Sequence, residues 1–139
     1  MSEHISMSVM SARKSDPVAT RETVEAVAAW LRGETEDAPP RKELADACRT
    51  TARTLAEELP GHAVELRVPP FVAVQCIDGP RHTRGTPPNV VEMSPETWLR
   101  VATGIESFRD ALSAGRIDAS GSRASEVARG LPVIAIDEG

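Results

Sequence analysis

Apolar residues return at helical spacing over Val24, Val27, Ala28 and Leu31, which predicts an amphipathic helix. Asp16 and Pro17 mark its start, a capping carboxylate followed by a residue whose fixed φ suits the first turn. Gly33 ends it near Arg32, and an acidic loop runs from Glu34 to Pro39. A second stripe, Leu44, Cys48, Thr51 or Ala52, Leu55 and Leu59, predicts a helix from Pro40 to Leu59, stopped by Pro60-Gly61. The period then changes to two. Val64, Leu66 and Val68 alternate with Glu65 and Arg67, the mark of a half-buried strand. Pro69-Pro70 breaks it, and Phe71 to Ile77 follows with apolar residues on both faces. Such a strand is expected to be central and covered on both sides, or to cover a cavity or partner. Gln75 interrupts it and needs a hydrogen-bonding partner if buried.

The second half alternates short elements with stop signals. Asp78 to Pro88 is a loop dense in Gly and Pro, and Asn89 to Met93 is a strand candidate. Ser94 is placed to cap a helix that carries Trp98, Val101, Ala102 and Ile105 at helical spacing, with Gly104 at its end. Ser107 and Asp110 form a capping pattern for a short helix with Phe108, Ala111 and Leu112 on one face, closed by Gly115. Arg116 to Ser120 reads as a strand, and Gly121 turns the chain toward a last helix. The apolar tail Val133 to Ile136 either adds an edge strand or lies over the core. No regular strand–helix–strand alternation appears. The expected class is therefore α+β, with a mainly antiparallel or mixed sheet of four to five strands covered by helices. Residues 1–15 read as a flexible N-terminal tail and 16–139 as a single domain.

Composition narrows the function. Hydrophobic residues make up 40% and charged residues 27% of 139, an ordinary globular balance. Aromatic residues are only 3%, so core volume must come from aliphatic side chains, which suits an incompletely filled interior. The net charge of −5 disfavours nucleic acid as a partner. No run has the length of a membrane span, and MSEHISMSVMSARKSD lacks the apolar centre of a signal peptide. The expected location is the cytoplasm, with no integral membrane contact. Cys48 and Cys76 have no metal-like spacing and read as small buried hydrophobes. No nucleophile elbow, phosphate loop or HExxH is present, so no catalytic residue, metal or cofactor is expected.

The segments TWLRVATG and FRDALSAGRIDASG, followed by a small-residue helix ending at Leu131, resemble the C-terminal half of the sterol-carrier-protein superfamily. With HTRGTPPNVVE included, the run from His62 to Leu131 is most similar to small actinobacterial sterol carrier family proteins. Arg116 stands where many relatives have Lys, which keeps the charge. The resemblance implies an apolar cavity between sheet and helices. It implies a non-enzymatic carrier of an apolar or amphipathic small molecule, fatty acyl or sterol-like. The alternative is a homodimeric or enzyme-docking module of the same fold without a ligand cavity.

Candidate binding residues follow. Val72, Val74, Trp98, Leu99, Phe108, Ala111 and Leu112 either line such a cavity or fill an ordinary core. The loop GPRHTRGTPPN gathers Arg81, His82 and Arg84 with no acid between them. These could hold a carboxylate or phosphate head group at the cavity mouth, or be solvated charges on a turn.

Overall fold

The computed structural model describes residues 15–79 and 89–136. Helix α1 spans Pro17–Leu31 and α2 spans Arg41–Glu58. Strands β1 (Val64–Val68), β2 (Val72–Cys76) and β3 (Val90–Met93) follow. Then come α3 (Pro95–Ala102), α4 (Phe108–Ser113), β4 (Ile117–Ser120) and a 3-10 helix, Ala124–Gly130.

The caps read from sequence are made. The Asp16 carboxylate accepts the Val18 N–H, Ser94 Oγ accepts the Thr97 N–H, and Ser107 Oγ accepts the Asp110 N–H. Helix α2 starts after Pro40 with no side-chain cap. Ser15 is tied down: its N–H donates to both carboxylate oxygens of Glu57, at 2.9 and 2.8 Å.

The sheet is mixed, in the order β2-β1-β3-β4. β1 runs antiparallel to β2 and parallel to β3, and β3 runs antiparallel to β4. The period of two sorts its faces. Val64, Leu66, Val68, Val91, Met93 and Ile117 are buried toward the helices. Glu65, Arg67, Glu92 and Asp118 stand on the other face, where Arg67 pairs with Glu65 at 2.9 Å and Glu92 at 3.9 Å. Among the described residues helices therefore cover one face only, and the class is α+β as expected.

Four expectations change or resolve. Among the described residues β2 is an edge strand, not a central one, with Ala73 and Gln75 exposed. The two-sided apolar pattern misleads because exposing one Ala methyl costs little, so Ala73 does not require cover. Gln75 meets solvent and needs no protein partner. The tail after Leu131 lies over the core: the Val133 and Ile134 N–H groups donate to Ala102 O, and Ile136 is buried. The last helix is the tight 3-10 type and ends at Gly130, where an added Cβ would sit 2.5 Å from Leu55 Cδ1.

Candidate ligand-binding site

Helix α3 places the largest anchor of the core. Its short sequence PETWLRVA buries Thr97, Trp98, Leu99, Val101 and Ala102. An indole carries one N–H that must be satisfied when buried. Here Trp98 Nε1 donates to Thr51 Oγ1 on α2 at 2.8 Å. Thr51 Oγ1 in turn donates to Ala47 O at 2.7 Å. The α2 stripe admits either Thr51 or Ala52 at this turn, because a hydroxyl at a core position has meaning only once its partner is known.

The apolar candidates fall into separate groups. Trp98, Leu99 and Ala111 are fully buried, and Phe108 nearly so. Val72, Val74 and Leu112 are half-buried against the core. β2 packs on β1 and α2, whereas α4 packs on β4 and α3. Val72 and Val74 therefore lie at one edge of the sheet and Phe108, Ala111 and Leu112 at the other, with Trp98 and Leu99 between. Any space they share must run beneath β1 and β3. Val72 also borders a shallow, open depression of about 440 Å³ with Arg67, Pro69, Pro70, Phe71, Ala73 and Glu92. Arg81, His82 and Arg84 lie outside the described residues.

A polar groove escaped the sequence reading. Ser94, Glu96, Thr97, Arg100, Glu106 and Arg116 line an open cleft of about 580 Å³. Glu106 sits between two guanidiniums, with Arg100 Nε at 3.6 Å from Oε1 and Arg116 against Oε2. Arg100 also donates to Leu31 O at 3.3 Å. Glu106 Oε1 is buried and has no hydrogen-bond partner among the described residues. The cluster joins the ends of α1 and α3 to the start of β4. The only sequence cue was the position of each charge beside a helix end, too common a placement to single out.

Asn89 closes the other end of the sheet. Its Nδ2 donates to Ala63 O at 2.8 Å, and its Oδ1 accepts the Arg123 N–H at 2.9 Å. Both thiols are buried and free. Burial pushes the Cys48 thiol up to about 12, against a small opposing pull from Arg49, and the Cys76 thiol up to about 11. Neither is a thiolate at neutral pH.

The sequence model of a family described as bacterial SCP ortholog matches residues 40–133, more than half of the chain. The chain belongs to this family. The matched span of this bacterial SCP ortholog starts at the foot of α2 and takes in the whole sheet, α3, α4 and the 3-10 helix. Helix α1 lies outside it. No curated protein matches the chain. No helix among the described residues is long and apolar enough to cross a membrane.

Proposed function

We propose that this bacterial SCP ortholog is a non-enzymatic carrier that binds an apolar or amphipathic small molecule, fatty acyl or sterol-like, between its sheet and its helices. The observation that carries the reading is the family match, whose span covers the sheet and helices packed on it. The scarcity of large rings supports it, since only two Trp and two Phe serve the whole chain. Trp98, Leu99 and Ala111 would form the deep wall, and Val72, Val74, Phe108 and Leu112 the more accessible margins. Arg81, His82 and Arg84 would meet an acidic head group at the mouth. Two free buried thiols fit a reducing compartment, and we place the protein in the cytoplasm.

Mass spectrometry of the purified protein, first native and then denaturing, tests this. A carrier shows a mass excess under native conditions that separates on denaturation as a lipid. A native mass equal to the bare chain, even after incubation with fatty acid, would contradict it.

A further inference from the structure

The two edges of the sheet are guarded differently. Natural edge strands discourage pairing with charge, Pro, bulges or shortness. The β4 edge carries Asp118, which stands opposite Glu92 in the register. β2 is the other edge, and VAVQC has no charge and no Pro. Its pairing with β1 runs unbroken from Val68↔Val72 to Val64↔Cys76, so no bulge turns it away.

The direction of its free backbone groups can be read from β1. The Glu65 N–H donates to Asn89 O at 2.9 Å, on the β3 side. In an antiparallel pair, residues opposite one another either exchange both bonds or both point away. Gln75 is opposite Glu65, and Ala73 opposite Arg67 two positions along. The N–H and C=O groups of Ala73 and Gln75 therefore point out from the sheet, and no strand among the described residues receives them.

We propose that β2 is the interface of a two-fold homodimer, in which two copies join their β2 edges antiparallel about Val74 into one continuous sheet. This pairing satisfies the free groups without conflict. Ala73 faces the partner's Gln75, and each such pair exchanges both backbone bonds. Val74 faces the partner's Val74 across the axis at the closer, non-hydrogen-bonded spacing, where two β-branched side chains pack well. Val72 faces the partner's Cys76. The half-buried Val72 and Val74 gain cover on the helix side of the sheet. No like charges meet within the paired strands. The contact is isologous and closes at two copies, while the acid on the β4 edge discourages open-ended growth. The inference does not depend on whether a lipid is carried.

Sedimentation velocity of the full chain from low to high micromolar concentration tests it. Gln75→Pro removes an outward N–H that β1 does not use, and Ala73→Lys places a charge beside the axis. The unmodified chain should show a concentration-dependent dimer. Both variants should raise its dissociation constant at least ten-fold with the melting temperature kept, and Asp118→Asn should not weaken it. If Gln75→Pro fails to fold, Ala73→Lys decides. A chain that stays monomeric throughout, or a dimer that survives Ala73→Lys, would overturn the proposal.

Discussion

The Trp98 indole N–H donates to the Thr51 hydroxyl across 2.8 Å, with both residues at 0% exposure. This bond fastens α3 to α2. The hydroxyl also donates to Ala47 O, so it is used in both directions. Thr51→Val keeps the shape but leaves the indole donor unsatisfied. It should cost about 1–3 kcal/mol in urea unfolding, and Thr51→Ser should cost clearly less. Equal losses would show that packing and not the bond matters.

Asn89 holds β1 to the start of the 3-10 helix with both ends of its amide. Asn89→Leu would leave the Ala63 carbonyl and the Arg123 N–H without a partner in a 6% exposed site. We expect a loss of about 2–6 kcal/mol, the sum of two buried orphan groups at their usual cost. Asn89→Asp should be milder at the Arg123 side only, since a carboxylate accepts but does not donate. Chemical denaturation of the two variants checks the order.

The thiols set an alkaline limit. Cys48 and Cys76 have folded values pushed up to about 12 and about 11, whereas unfolded thiols ionise near 8.5. Below the unfolded value both states hold the proton and the contribution to stability is fully present. As pH rises from there toward the folded values, the unfolded state releases protons first and that contribution is progressively lost. Cys48→Ala with Cys76→Ala should flatten the alkaline part of the stability curve measured by thermal melting. In the native protein near neutral pH, neither thiol should react with a thiol reagent on the time scale of the unfolded control.

Local chemistry was legible in the sequence, and long-range pairing was not. Asp16, Ser94 and Ser107 announce their helices because a cap acts within three residues. Val64, Leu66 and Val68 announce β1 because burial alternates with the pleat. The parallel pairing of β1 with β3 depends on a crossover, and no residue in either strand encodes it alone. The edge position of β2 was hidden by Ala73, which counts as apolar yet tolerates solvent. Thr51 and Trp98 are 47 residues apart, so a stripe position that looked ambiguous is a specific bond. Glu106 acquires its two guanidiniums only when the ends of α3 and β4 converge.

Binding of a fluorescent fatty acid, with Ala111→Trp run beside the unmodified chain, tests most directly whether an apolar molecule occupies the space between sheet and helices. Ala111 is fully buried on α4. If a ligand space adjoins it, the indole takes that space: the fold and melting temperature persist and probe affinity falls at least ten-fold. If the interior is filled, the added ring has no room, and overpacking should cost about 1–3 kcal/mol or more. The expected result is saturable probe binding by the unmodified chain and its loss in a stable Ala111→Trp variant. No binding by the unmodified chain, or a variant that unfolds because the site was already packed, would contradict it.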